Sequence, residues 1–219
     1  MTWSATLSPL PGETPLEGRT CSLLPVAWPE PGTSLVVLMA AEPHDLWTYM
    51  PIQPPGSPAD LRETIHKINN APGQAMMVIT SPSGAAMGMG AFLRIRPEHG
   101  SAELGSIAYS HLMQRSVAGT EAMFLMMRHL FDDLGYRRCE WKCHAGNRPS
   151  NAAAKRLGFV YEGTFRQDMW LKGANRDTAW YSIADKEWPS RKAALEAWLA
   201  PENFDAEGRQ RAPLRRLVD

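Results

Sequence analysis

The chain has 219 residues, room for one domain of ordinary size with tails. Apolar residues make up 44% and charged residues 21%, so a real core can be buried. Lys plus Arg and Asp plus Glu each number 23, and zero net charge argues against binding through a broad basic surface, so no nucleic-acid partner is expected. The longest apolar run, Leu35 to Ala41, is too short for a bilayer, so no membrane partner is expected. Met1 to Gly18 lacks the basic start and apolar stretch of a secretory signal, which makes the cytoplasm the default location.

Eleven of the 18 prolines precede residue 60, so residues 1–15 read as a flexible, extended arm. A short strand is expected at Arg19 to Leu24, then an apolar helix around Thr33 to Ala41. A Pro-rich loop at Ile52 to Pro58 leads into a helix over Ala59 to Asn69. Ala75 to Thr80 and Ala85 to Arg94, joined by Ser81-Pro82-Ser83-Gly84, read as a hairpin, and Ala102 to Tyr109 follows as another strand. Spacing of three and four among Met123, Met127, Leu130, Phe131 and Leu134 predicts a helix over Thr120 to Leu134, stopped by Gly135. Its methionines read as core filler rather than a cofactor box.

Arg137 to Cys143 alternates as a strand, which sets Cys139 and Cys143 about 13 Å apart, too far for a disulfide. With Cys21 they read as buried free thiols, and no metal site is expected. A short helix over Arg148 to Leu157 ends at Gly158. Phe159 to Leu171 and Thr178 to Ile183 read as long strands joined by Lys172 to Asp177, and a last helix runs from Pro189 to Leu199. Beyond it, residues 201–219 form an arginine-bearing tail read as solvated. With no repeat or linker, residues 16–200 form one α/β domain with a mixed, mainly antiparallel sheet.

Two stretches carry chemistry. Gln114-Arg115-Ser116-Val117-Ala118-Gly119-Thr120 stands between a strand and a helix. Small residues there leave backbone N–H groups unshielded where the helix dipole favours an anion, and Arg115 adds a cation. An ordinary loop entering a helix explains the stretch equally well. In Asn147-Arg148-Pro149-Ser150, Asn147 suits an N-cap and Pro149 a first turn, which is the commoner role for such residues.

Taken together and in order, these stretches resemble the GNAT superfamily of acyl-CoA N-acyltransferases, closest to its RimJ/RimL-type branch. The likeness covers about Leu16 to Trp188. Gln114 to Gly119 resembles the pyrophosphate motif Gln/Arg-x-x-Gly-x-Gly/Ala, and Asn147 to Phe159 resembles the Asn-x-x-Ser helix that ends in Leu-Gly-Phe. Glu162-Gly163, Arg166 and Gly173 to Asp177 are also similar. Val117 departs from the motif, standing at its first glycine; a β-branched residue disfavours positive φ, so a helical backbone is needed there.

The resemblance implies a single-domain GNAT-like fold, its twisted sheet flanked by helices and splayed between the fourth and fifth strands. It implies acetyl-CoA as co-substrate and an N-acetyltransferase acting on a primary amine, either a protein N-terminus or a small molecule, by direct attack in a ternary complex. The acyl group can be other than acetyl in such a family. Backbone of Ser106, Ile107, Ala108 and Tyr109 would then meet pantetheine, with a backbone N–H of Ile107 to Tyr109 at the oxyanion. Gln114, Arg115, Ser116, Val117, Ala118, Gly119 and Thr120 would hold pyrophosphate, and Asn147 pantetheine. Ser150 is the candidate general acid, Glu103 and Asp168 are candidate bases, and His111 is a further polar group nearby. Trp47 and Tyr49 are candidates for the acceptor wall or, alternatively, core aromatics. A homodimer stays open. The alternative function is a non-catalytic acyl-CoA sensor or regulatory module, and Val117 is the feature that favours it.

Overall fold

The computed structural model describes residues 9–214. The elements are β1 (Leu16–Glu17), β2 (Ser22–Pro25), α1 (Gly32–Ala40), α2 (Pro58–Asn69), β3 (Ala75–Thr80), β4 (Ala86–Arg96), β5 (Ser101–Tyr109), α3 (Val117–Arg128), β6 (Arg138–His144), α4 (Arg148–Arg156), β7 (Val160–Leu171), β8 (Ala174–Ala184) and α5 (Trp188–Leu199). Eight strands make one sheet in the order β1-β2-β3-β4-β5-β6-β8-β7. All neighbours are antiparallel except β5 and β6, which α3 joins as a crossover. No helix among the described residues is long and apolar enough to cross a membrane.

Alternation along the strands feeds a core on each face of the sheet. On one face, Phe92, Leu104, Cys139, Trp141 and Ile183 pack with Met123, Met127 and Leu130 and with Trp188 and Leu195 of α5. On the other, Met76, Val78, Met89 and Ala91 meet Leu35 and Met39 of α1 and Leu61 and Ile65 of α2. The methionines of α3 are core, as their spacing predicts. Cys21, Cys139 and Cys143 are buried free thiols. Burial, reinforced by the Glu121 carboxylate, pushes the Cys21 thiol up to about 12, so it is no thiolate nucleophile at neutral pH.

Several boundaries differ from those the sequence suggests. Arg19 and Thr20 form a turn rather than a strand. The buried Glu121 carboxylate accepts the N–H of Arg19 at 2.8 Å and of Thr20 at 2.6 Å, and the Thr20 hydroxyl as well. This contact fixes β1 and β2 over α3 and has no local signature, because its partners lie about a hundred residues apart. Glu121→Ala should cost about 1–3 kcal/mol in denaturant unfolding, since it removes a buried acceptor shared by two part-buried amides and a hydroxyl.

Helix α3 starts at Val117 and not Thr120, because the Ser116 hydroxyl caps it by accepting the Gly119 N–H at 3.2 Å. At its other end the chain continues as a π-helical turn, His129–Asp133, and Gly135 leaves it with φ 66°. The expected loop from Lys172 to Asp177 shrinks to Lys172 and Gly173, both at positive φ (52° and 77°), a two-residue hairpin turn that lets β8 begin at Ala174. The arm and the tail lie on the body where they are described. The Tyr136 hydroxyl donates to the Pro9 carbonyl at 3.3 Å. Trp198 donates to Gln210 at 2.9 Å, and Leu214 is buried. Residues 1–8 of the expected flexible arm, and Arg215 and Arg216 of the tail, lie outside the described residues.

Candidate active site

The parallel ladder between β5 and β6 runs from Ser101↔Arg138 to Leu104↔Trp141 and stops, although β5 continues to Tyr109 and β6 to His144. The cause is a bulge. Met89 pairs with Ala108 and Ala91 with Gly105, so β5 carries one residue more than β4, and Ser106 adopts φ 48°. From Gly105 onward β5 has no strand partner on its β6 side. The two strands part into a cleft.

One end of the cleft is the start of α3. Arg115, at φ 59°, turns the chain into α3, and the Gln114 amide donates back to the Tyr109 carbonyl at 3.2 Å. Val117 and Ala118 occupy the first turn, where no intrahelical carbonyl reaches their N–H groups. Val117 is helical, so its branched side chain meets no positive-φ demand, and the residue at positive φ in the motif is Arg115. The small residue at 119 has a packing reason. A Cβ there would lie 3.1 Å from the Tyr109 ring, whose hydroxyl donates to the Gly119 carbonyl at 2.9 Å. Burial pushes the Tyr109 phenol well above its usual range, so it remains a donor. Arg156 reaches from the end of α4 to the Thr120 hydroxyl.

The first turn of α4 lines the other wall. Asn147 caps the helix by accepting the Ser150 N–H at 3.1 Å. The Ser150 hydroxyl accepts the indole N–H of Trp141, the last residue of β6 paired with β5, at 3.1 Å, and it lies within hydrogen-bonding reach of the Cys143 thiol.

Beyond α4 lies an open cavity of about 1030 Å³ lined by His144, Gly146, Phe165, Arg166, Asp168 and Asp177, among others. A second bulge shapes it: Phe165 pairs with Thr178 and Met169 with Arg176, so three residues of β7 face one of β8. Gln167, at φ 51°, donates its N–H to Asp177 at 2.7 Å. The connection from α1 to α2 spans the two sides. Buried Glu42 accepts the His111 N–H at 3.1 Å and faces its Nδ1 at 3.0 Å, tying the segment to the end of β5. Tyr49 donates to the Gly146 carbonyl at 3.2 Å and its ring lies 5.3 Å from His144, tying it to the end of β6.

Residues 33–160, over half of the chain, match the family described as Acetyltransferase (GNAT) domain. The chain belongs to the GNAT acetyltransferase family. A GCN5-related N-acetyltransferase from Brucella melitensis is similar over 97% of each chain, with 41% identity and a TM-score of 0.92. The ribosomal-protein-serine acetyltransferase of Escherichia coli (strain K12) is 30% identical over 129 residues, 58% of this chain and 71% of that protein. A further relative in Bacillus subtilis (strain 168) is 30% identical over 73 residues, 33% of this chain, and the match spans only 40% of that protein's length.

Within this GNAT domain the sequence-predicted residues fall into three groups. Ser106 to Tyr109, Gln114 to Thr120, Asn147 and Ser150 gather around the cleft. Glu103 lies one residue before the strands part, on the face opposite Leu104, with Lys142 Nζ at 3.3 Å and Arg94 Nε at 3.8 Å from its Oε2. Burial raises its carboxyl above the ordinary range against the opposing pull of Lys142 and Arg94. Asp168 is exposed on the bulge of β7, in the cavity wall. Trp47 is a correction. It is fully enclosed in the core beneath α1 and α2, where its apolar area outweighs its polar tip, so its ring is not presented as an acceptor wall. Tyr49 is the exposed member of that pair. No group of three His, Cys, Asp or Glu side chains among the described residues gathers as a metal site.

Glu42 and His144 were not legible in the sequence. Glu42 follows a helix end like any surface carboxylate, and its partner lies 69 residues away. His144 had a partial signal: the alternation that buries Cys139, Trp141 and Cys143 puts it on the opposite face. Its Nδ1 accepts the Gly146 N–H at 2.9 Å, which fixes the neutral ring's proton on Nε2.

Proposed function

We propose that this enzyme transfers an acetyl group from acetyl-CoA to a primary amine, on a protein N-terminus or a small molecule, by direct attack in a ternary complex. The observation that carries this reading is the cleft between β5 and β6, with a helix start of unpaired N–H groups at one end and an open, polar cavity at the other. Acetyl-CoA supplies the activated carbonyl. The N–H groups of Val117 and Ala118, with Arg115, hold the pyrophosphate, while Ser116 and Gly119 shape that turn. The unpaired edge of β5 from Ser106 to Tyr109 hydrogen-bonds the pantetheine amides and offers an N–H to the developing oxyanion. Asn147 holds the first turn of α4, and the Ser150 hydroxyl, turning from the Cys143 thiol, gives its proton to the leaving sulfur. The non-catalytic reading drew its support from Val117, and a helical Val117 withdraws it.

Acetyl-CoA incubated with amines and short peptides should yield CoA and an acetylated acceptor in equal amounts. CoA release no faster than the uncatalysed background with every acceptor would overturn the reading.

Glu103 is the stronger of the two base candidates because it is held at the parting of the strands. A base must be deprotonated, so activity should fall as pH drops through its raised pKa. The acid limb of kcat/KM should therefore lie above the ordinary carboxylate range. In Glu103→Gln that limb should vanish along with most of the rate. An unchanged limb in the folded variant would assign the proton elsewhere.

A further inference from the structure

We propose that the acceptor carries a carboxylate as well as its amine, and that Arg176, with the Thr178 hydroxyl and the Nε2–H of His144, binds that carboxylate beneath the connection from α1 to α2. The anion site stands on these side chains alone. That the anion belongs to the acceptor rests on the acetyl-transfer reading.

Arg176 is only 8% exposed, yet its guanidinium has no hydrogen-bond, ion-pair or ring partner among the described residues, and its Nε is buried. A guanidinium does not shed its charge, and a buried charge without a counter-charge is costly to the fold. Other arginines on the same face of the sheet are treated differently: Arg94, Arg96 and Arg138 each have a glutamate partner.

The neighbours of Arg176 share the deficit. Alternation sets Arg176, Thr178 and Trp180 on one face of β8. Thr178 is fully buried with its hydroxyl unpartnered, and the Trp180 indole N–H is buried without an acceptor. Thr178 pairs with His144 across the ladder, so the imidazole lies on this face too, its proton on Nε2. Two contacts bring the α1–α2 connection over the row. The Tyr49 ring lies 5.3 Å from that of His144, and Lys172 at the hairpin donates to the Trp47 carbonyl at 2.7 Å. Along β8, Arg176 and Thr178 fall between these two contacts.

The chemistry of the row selects its ligand. A guanidinium, an imidazole N–H and an indole N–H only donate, and the hydroxyl can donate as well. Lys172 adds a second cation. The adjacent carboxylate, Asp177, lies on the other face and accepts the Gln167 N–H. The matching group is therefore an anion rich in acceptors, and the planar fork of Arg176 suits a carboxylate met edge to edge. The diphosphate of the donor is held at the start of α3, so this second anion comes with the acceptor. A polyamine would set like charge against Arg176 and Lys172.

Acceptors that differ only in the carboxylate test this. β-Alanine and γ-aminobutyrate are each compared with their amides, and a peptide beginning Ser-Asp with one beginning Ser-Asn, both amidated at the C-terminus. Wild type should favour the acidic member of at least one pair by about tenfold or more in kcat/KM, the scale of a charge-assisted pair. The pair that shows it names the source, a free amino acid or an acidic residue of a peptide. Arg176→Met should abolish the preference through KM, and Arg176→Lys, which keeps the charge but not the fork, should restore part of it. Calorimetry of the same acids with the CoA-loaded chain reads the site without turnover: wild type should bind and Arg176→Met should not. Binding without acetyl transfer would overturn the acetyl-transfer reading and leave the anion site standing. The Tm of Arg176→Met should equal or exceed that of wild type, because an uncompensated charge is removed. No acidic preference or acid binding in any pair, a preference that survives Arg176→Met, or a lowered Tm in that variant overturns the proposal.

Discussion

Ser150→Ala should lower the single-turnover rate of acetyl transfer by about 10²–10⁴-fold, the usual worth of general acid help, while acetyl-CoA affinity stays nearly constant. The hydroxyl matters only as sulfur gains charge, so its loss is felt in the transition state and not in binding. Geometry separates this role from a structural one. Asn147 caps α4, and Ser150 contributes only its backbone N–H to the cap. The structural part of the Ser150 side chain is its acceptance of the nearly buried Trp141 indole N–H, whose loss costs about 1–3 kcal/mol. A folded variant with that stability loss and a wild-type single-turnover rate would leave Ser150 as a partner of Trp141 and nothing more.

Ser116→Asp should weaken acetyl-CoA binding by about 10²-fold in calorimetry, a penalty of the size expected for a carboxylate set within a few ångströms of a diphosphate at the protein surface. Stability should move by no more than about 1 kcal/mol, because Asp is as good an N-cap as Ser and its charge suits the helix dipole. The Ser116 hydroxyl also donates to the Met113 carbonyl at 2.7 Å, and Asp gives up that bond. The pairing of lost affinity with retained stability is diagnostic. Gly119 is a poorer probe, since any side chain there presses on Tyr109 before it meets a ligand. Unchanged affinity in Ser116→Asp would remove the pyrophosphate from the start of α3.

The sheet, its hairpins and the two chemical stretches were legible because each rests on local pattern: alternation, turn residues, and the spacing of three and four in α3. The splay was legible only through the family likeness. Its physical cause, the bulge at Ser106, depends on how many residues of β5 face β4, and no periodicity along one strand reports that number. Sequence pattern starts helix α3 three residues late because Ser116, its cap, stands among small residues that read equally well as loop. Val117 looked incompatible with the motif only while its backbone was unknown. Trp47 and Tyr49 show the limit plainly. Two aromatics in one short segment have the same local environment in sequence, and tertiary packing alone sends one into the core and leaves the other at the cleft. Long-range polar pairs such as Glu42 with His111 and Glu121 with Arg19 carry no sequence mark at all.

The segment between α1 and α2 is anchored at both ends of the parting strands, by Glu42 to His111 and by Tyr49 to Gly146. It behaves as a strut across an open wedge. On the proposed reading, the elements that would grip the nucleotide, β5 and α3, are thereby set apart from those that would meet the acceptor, which are this strut and the β7–β8 hairpin that donates to it through Lys172. The exposed positions of residues 41–56 should therefore accept substitutions that admit a different amine without disturbing the donor's grip, provided the two tethers and the buried Trp47 are kept. Cutting either tether is a different kind of change: it frees one arm of the wedge, and donor and acceptor then lose their common frame of alignment.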